Sequence, residues 1–449
     1  MNSMGLEHIW LKLLPRFVRA KIENRNKLQK ILGNVGWLFA DKVLRIAGGL
    51  LVGVWVARYL GPGQFGLFSY SLAFAAMFMT IGALGLDGIV VRNIVRDPSC
   101  RDEVLGTVFI LRITGGVIAV GLALGSIFLL RPHDNVVHLL VGVTAAGSIF
   151  QAFDVIDFWF QSQVLSKYTV YAKNAAFLVI TVVKILLILM NAPLVYFAYA
   201  GLAEMILGAV GLVLVYRIKG YSLKSWTGGR GLAGKLLHDS WPLIFSGIVT
   251  MIYMRIDQVM LGEMVGNEEV GIYSAAVRLA EAWYFIPGAI VASVFPSIVE
   301  AKAISDDLFY SRLQKLYNLM AFLGYLVALP VTFLASWLIK FLYGAAYIKA
   351  GPMLALLIWA GLFVNLGIAR SSFLTTMNWT RVHFMTVFLG CIVNVALNFV
   401  LIPRYGGMGA VIASCIAYWF AVHGACFVHK PLYKTGRMLT KAMAYPRVW

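Results

Sequence analysis

Twelve stretches of about twenty apolar residues, joined by short polar connections, dictate how this chain can fold. They are read at 34–57, 66–90, 104–130, 136–161, 169–190, 193–216, 240–262, 270–298, 316–342, 350–377, 382–402 and 407–429. Each is long enough to cross a hydrocarbon core of ~30 Å as a helix. Hydrocarbon offers no water to backbone N–H and C=O groups, so such segments must satisfy their own hydrogen bonds. Composition agrees: 60% of the 449 residues are hydrophobic and 13% charged, against roughly 25% charged in a soluble domain. The expected fold is all-α and integral to the membrane.

The chain is also built twice over. Gly61-Pro-Gly-Gln-Phe-Gly-Leu-Phe-Ser69 aligns without a gap on Gly266-Asn-Glu-Glu-Val-Gly-Ile-Tyr-Ser274, 205 positions on. A second echo sets Ala146, Gly147 and Gln151 on Ala360, Gly361 and Asn365. Six spans per half is an even number, so both halves start on the same side and are parallel repeats, a transporter plan with a central cavity. The predicted organisation is a basic segment at 1–33, a six-helix bundle at 34–216, a linker at 217–239, a second bundle at 240–429 and a basic tail at 430–449.

Net charge is +18. On a soluble protein that would suggest nucleic acid, but its distribution points elsewhere. With the amino terminus inside, cytoplasmic segments hold 25 of the lysines and arginines and outer loops only five. The positive-inside rule then places both termini in the cytoplasm, and no nucleic-acid partner is expected. Residues 1–33 lack the apolar core of a cleavable signal. There, Trp10, Leu14, Phe17 and Val18 alternate with Lys12, Arg16 and Arg19, a pattern shared by a helix lying on an anionic membrane surface and a plain basic tail. The four cysteines have no paired spacing, and no metal or other cofactor is expected. Gly229–Leu236 approaches a phosphate-binding loop, yet Leu236 stands where Mg²⁺ would need a hydroxyl, so no nucleotide site is assigned.

Eight cations fall within spans: Lys42, Arg45, Arg112, Lys173, Lys184, Arg255, Arg278 and Arg370. Each costs ~2.5–3.5 kcal/mol at mid-helix if it faces lipid, so they should face the bundle interior or snorkel. Lys184, near a span end, is expected to snorkel. Asp41 lies four residues before Arg45, and Glu281 three after Arg278, both spacings for pairs on one helix face. Asp257 points to a different face from Arg255 and does not neutralise it within the helix. Span four carries Gln151, Asp154, Asp157 and Gln161 on one arc, a stripe suited to a wet surface. Asn394 and Asn398 share a face of span eleven, as interhelical hydrogen bonding requires. No catalytic constellation is found. The in-span acids Asp87, Asp154, Asp157, Glu204, Asp257 and Glu281 nearly balance the bases, so charge counting alone does not define an anion path.

Three stretches in order carry a family resemblance. Tyr59-Leu-Gly-Pro-Gly-Gln-Phe-Gly66 is one; Asp257–Gly262 continuing to Val270–Arg278 is the second. The third is Asn394-Val-Ala-Leu-Asn398-Phe-Val-Leu-Ile-Pro403-Arg-Tyr-Gly406-Gly-Met-Gly409-Ala410. Over about residues 30–430 the chain resembles the polysaccharide or O-antigen flippases of the multidrug/oligosaccharidyl-lipid/polysaccharide exporter superfamily. The resemblance implies polyprenyl-diphosphate-linked oligosaccharide as substrate. It implies transfer from the cytoplasmic to the outer face of the bacterial inner membrane by alternating access, and coupling to an ion gradient. Membrane lipids, a polysaccharide polymerase and its chain-length machinery are the implied partners. Arg255, Asp257 and Arg278 lie in matching motifs and become candidate cavity residues; Lys42, Arg45 and Arg370 join them by position. Asp154, Asp157, Asp257 and Glu281 are the ion-coupling candidates. Two rival readings remain: a cation-coupled multidrug exporter of the same fold, with a cavity dominated by acids, and a membrane polymerase or glycosyltransferase, which the short outer loops disfavour.

Overall fold

The computed structural model describes residues 26–446. Residues 1–25, which hold the basic stretch around Trp10 to Arg19, lie outside the described residues. Among those described, every regular element is helical. Eleven helical stretches are long and apolar enough to cross a membrane. The first, Asp41–Arg96, has 56 residues; a straight helix of that length would run about 84 Å, far beyond a bilayer. Helix α1 (Asn26–Ala83) instead breaks at Gly61, whose φ of 70° and ψ of 170° leave the helical region. Gly53 and Phe65, on either side of that break, both touch Arg278. The chain therefore folds back there, and the stretch supplies two spans. The protein is a multi-pass membrane protein with twelve apolar segments.

Short α2 (Asp87–Arg96) leads to α3 (Arg101–Leu130) and α4 (Asn135–Phe150). A 3-10 turn at Gln151–Asp154 joins α4 to α5 (Val155–Ser162), followed by α6 (Lys167–Leu189) and α7 (Leu194–Ile218). The connection to the second half is fastened to the first: Gly229 N–H donates to Thr107 Oγ1 at 3.0 Å, and Trp226 packs on Phe109 and Tyr216. The second half runs through α8 (Arg230–Met264), α9 (Asn267–Glu281), α10 (Phe285–Ile304), α11 (Asp306–Tyr343), α12 (Ala350–Thr376), α13 (Thr380–Tyr405) and α14 (Gly407–Trp419). A π turn at Phe420–Gly424 and α15 (Ala425–Val428) precede a final amphipathic helix, α16 (Tyr433–Ala444).

The nine-residue repeat has a direct structural expression. Gly266, like Gly61, has a positive φ, here 128°, and opens the next helix. Gly66 and Gly271, equivalent by the 205-residue offset, face each other across the two halves. A Cβ at Gly66 would overlap the Asn267 carbonyl and lie 2.7 Å from the Gly271 nitrogen. A Cβ at Gly271 would overlap the Pro62 carbonyl and lie 3.0 Å from the Gly66 nitrogen. Pro62 and Asn267 are themselves equivalent positions. The contact is thus reciprocal, as an isologous interface requires, and marks the pseudo-two-fold axis relating the halves.

A polar network closes the same end of the bundle. Arg131, between α3 and α4, donates to Glu263 Oε1 at 2.8 Å and to the Gly262 carbonyl at 3.0 Å. Its guanidinium covers the Tyr70 ring, and Tyr70 donates to Glu263 at 2.5 Å. Tyr347 donates to the Ala57 carbonyl at 2.7 Å. Overpacking such a contact costs about 1–3 kcal/mol, enough to shift an open–closed equilibrium roughly 5–150-fold. Gly66→Val or Gly271→Val is therefore expected to open this end. Spin labels at Gln64→Cys and Glu268→Cys should show the longer-distance population rise; an unchanged distribution would mean that the glycine contact does not set closure.

Candidate functional site

Beneath this closed end lies a cavity of about 450 Å³. The second arm of α1, α4 and α7 wall it from the first half, and α8 and α9 from the second. Its polar lining is sparse. Ser69 and Ser274, the last residues of the two repeat copies, both line it; both are nearly fully buried, and neither hydroxyl has a hydrogen-bond partner among the described residues. Gln258, Glu204, Arg255, Arg278 and Glu281 complete the hydrogen-bonding and charged groups most useful to a polar ligand.

The charges are arranged unequally. Arg255 on α8 pairs with Glu281 at 3.2 Å, each side chain about a quarter exposed. Glu281 thus serves Arg255, not Arg278 three residues earlier. Arg278 has no carboxylate at ion-pair distance among the described residues. Its guanidinium lies 5.0 Å from the Phe65 ring centroid, and a methyl at Gly53 would overlap its Nη1. An arginine of the second half therefore reaches across into a slot on α1 of the first. Cation–π contact is worth about 0.5–2 kcal/mol, and no hydrogen bond from this guanidinium is found among the described residues, so its donors are open to a ligand in the cavity.

Along the wall, Glu204 on α7 accepts from Lys184 at 3.2 Å and lies 3.8 Å from Arg45, which holds Asp41 at 2.9 Å. Lys184 is thus paired inside the bundle and does not snorkel as expected. The cavity and this wall set four cations (Arg45, Lys184, Arg255, Arg278) against three carboxylates (Asp41, Glu204, Glu281). Lys42, exposed beside Asp41, adds a cation with no ion pair among the described residues. Sequence reasoning missed the Lys184–Glu204 pair, because its partners lie on different helices. It also missed Ser69 and Ser274, although their matching places at the end of the repeat were a readable signal.

The other candidates lie elsewhere. Arg370 is 1% exposed and sits among α12, α13 and the π turn, donating to the Val422 carbonyl at 2.9 Å and Thr386 Oγ1 at 2.8 Å. Asp154 and Asp157 flank Lys173, both at 2.9 Å, and the 3-10 turn interrupts the stripe expected on span four. Asp257 points away from the cavity into the second half. Its carboxylate accepts from Asn398 Nδ2 at 2.6 Å, from Tyr273 Oη at 2.8 Å and from the Ser414 hydroxyl. Asn398 also accounts for the shared face with Asn394, whose Oδ1 it reaches at 3.2 Å.

The sequence pattern of the family described as "Polysaccharide biosynthesis protein" matches residues 31–302, more than half of the chain. The chain belongs to that family. It is 25% identical over 391 residues to the probable flippase AglR of Haloferax volcanii, covering 84% of this chain and 79% of that protein. It is 20% identical over 420 residues to the capsular polysaccharide biosynthesis protein CapF of Staphylococcus aureus, covering 89% and 99%. Among solved structures, an inward-facing multidrug resistance MATE transporter of the MOP superfamily superposes with a TM-score of 0.69 at 17% identity, covering 87% and 96%. The lipid II flippase MurJ in an inward closed conformation gives 0.67 at 15%, covering 92% and 91%. These likenesses define the fold: two parallel-repeat six-helix bundles around a central cavity.

The geometry makes opposite predictions for two neighbouring residues. Arg278→Gln should weaken binding of inorganic pyrophosphate to the purified protein by roughly 10–150-fold, the worth of charged hydrogen bonds at ~1.5–3 kcal/mol. Glu281→Gln releases Arg255 and should strengthen it. Calorimetric titration reads both; equal affinities in the two variants would remove these side chains from the anion site.

Proposed function

We propose that this protein is a flippase carrying polyprenyl-diphosphate-linked oligosaccharide from the cytoplasmic to the outer face of the bacterial inner membrane, for cell-surface polysaccharide synthesis. The observation that carries the reading is Arg278, a guanidinium with no carboxylate at ion-pair distance among the described residues, in a cavity between the halves and beside Arg255, which holds Glu281. A diphosphate cannot cross hydrocarbon unaided, and this arrangement offers it donors while the polyprenol stays in lipid. The family, and the similarity to a probable flippase and to the lipid II flippase fold, support the same substrate class.

In this reading both termini are cytoplasmic and the Gly66–Gly271 end is the outer gate, shut in the state described. A diphosphate entering from the cytoplasm draws Arg278 from Phe65 and Arg255 from Glu281, with Ser69 and Ser274 free to donate to its oxygens. Because Arg278 bridges the halves just below the gate, a ligand that takes over its donors removes one contact holding that end closed. A ligand shifts such an equilibrium only through contacts that differ between its states, and in this reading the Arg278 contact across the halves is the one that differs. A drug exporter for cations would need carboxylates free of partners, whereas both cavity acids, Glu204 and Glu281, are paired.

Coupling to an ion is assigned to Asp257. Its carboxylate is buried among three neutral donors, with no basic partner at ion-pair distance among the described residues, so nothing but those donors offsets its charge. Movement of α8 against α13 and α14 would then depend on its protonation. Asp154 and Asp157 already hold Lys173 between them and are set aside for this role.

Two outcomes test the proposal. In cells lacking the native gene, Arg255→Ala and Arg278→Ala should abolish surface polysaccharide while the protein still reaches the membrane; full polymer in both would remove them from the transport path. Asp257→Asn should leave residual flux that no longer changes when the pH gradient is collapsed, and gradient-dependent flux in that variant would contradict the coupling role.

A further inference from the structure

The last helix of the chain is fixed in a way that neither the cavity nor the gate explains. On α16, Thr435, Gly436, Leu439 and Ala442 are buried against α11 and the end of the last span, while Lys434, Arg437 and Lys441 are exposed. Spacings of three and four place these cations on one stripe opposite the buried face. Three contacts fix the orientation. Lys434 lies 3.1 Å from the Tyr310 ring centroid, Gln314 Nε2 donates to the Met438 carbonyl at 3.1 Å, and Tyr325 Oη donates to the Met443 carbonyl at 2.9 Å. Contacts that advance along α11 from Tyr310 to Tyr325 carry α16 from the loop end of that helix onto its membrane-spanning part.

Between α11 and α16 lies a groove of about 570 Å³, lined by Gln314, Tyr433, Lys434, Arg437, Met438 and Lys441. Its charge is compensated only in part. No Asp or Glu follows Asp307 in the sequence, and Asp306, the carboxylate of α11 within electrostatic reach of Lys434, is already paired with Lys302. Beside the groove, Phe427 and Val428 are 42% and 69% exposed. Both residues end the last membrane span, so the cationic groove opens where headgroups meet acyl chains, a position that matches an amphiphile.

We propose that this groove binds the headgroup phosphate of an acidic glycerophospholipid, with the acyl chains against the apolar end of the last span. The proposal takes from the functional reading only the cytoplasmic position of the carboxyl terminus; it needs no transport step. Bound lipid would fasten α11 and the last span, both of the second half, to one leaflet. That gives the second half a fixed frame against which the first can rock.

The test uses the full-length protein, delipidated in neutral detergent and titrated with phosphatidylglycerol or phosphatidylcholine, with bound lipid counted by native mass spectrometry. Each cation at an anionic surface contributes about fivefold. The triple variant Lys434→Gln/Arg437→Gln/Lys441→Gln should therefore lose about 100-fold in phosphatidylglycerol affinity and none for phosphatidylcholine. The charge-keeping variant Lys434→Arg/Lys441→Arg should retain the preference. If the triple variant does not fold, Arg437→Gln alone, at an exposed position, should lose about fivefold. Phosphatidylglycerol binding unchanged in these variants overturns the proposal. So does displacement of the lipid by an equal concentration of inorganic phosphate or pyrophosphate, which would make the groove a site for soluble anions. Lipid counting is independent of flux, so a failed flippase assay leaves this result standing.

Discussion

A charged side chain at the depth of the hydrocarbon must be matched, hydrated or carried out to the interface, and this constraint orders the whole molecule. Matching is done mostly in the first half. Arg112 meets Asp87, Lys173 sits between Asp154 and Asp157, and Arg45 and Lys184 share Glu204. Such pairs add little net stability, because desolvation offsets attraction. Their effect is to make the first half electrically quiet. Against that background Arg278, with no carboxylate at ion-pair distance among the described residues, stands out at the boundary between the halves.

Its position ties chemistry to shape. The reciprocal packing of Gly66 and Gly271 brings two backbones together with no side chain between them, and closure of that kind is all-or-none because interiors pack at crystal-like density. The slot at Gly53 and the ring of Phe65 that receive Arg278 belong to the same helix, α1, on either side of its break at Gly61. The cation of the cavity and the glycine contact therefore both rest on one element. A transporter whose binding site and gate lie on separate helices would need a longer relay.

Much of this was legible in the sequence, for physical reasons that can be named. Twelve segments could be counted because hydropathy and the lysine and arginine bias report the bilayer directly. The repeat was legible because Gly61 and Gly266 need positive φ and Gly66 and Gly271 need the absence of a side chain. Arg45 with Asp41 was readable as a spacing of four. The pairing of Arg255 with Glu281 was not, since residues 26 apart on different helices meet only through packing. Arg370 was misjudged for the same reason. A cation in a span looks functional from sequence, yet here the carbonyl of Val422 and the hydroxyl of Thr386 take up its two terminal nitrogens away from the cavity, and the π turn at Phe420–Gly424 supplies that carbonyl.

The second half takes the opposite electrical course from the first. With no acidic residue after Asp307, its membrane-embedded carboxylates are Asp257 and Glu281, and Glu281 is engaged by Arg255. Arg370, buried with no carboxylate at ion-pair distance among the described residues, leaves positive charge in the same bundle. In the proposed coupling, a proton or small cation entering between α8, α13 and α14 would reach Asp257, toward which Asn398, Tyr273 and Ser414 are turned. Each of the three can give up its hydrogen bond and present an oxygen instead, Asn398 by an amide flip and the hydroxyls by rotation. The same cluster can thus stabilise the empty carboxylate and receive the ion that replaces those donors. Tyr273 precedes Ser274, which lines the cavity, and lies five residues before Arg278 on α9. In the proposed mechanism a change at Asp257 would reach Arg278 through one helix, α9.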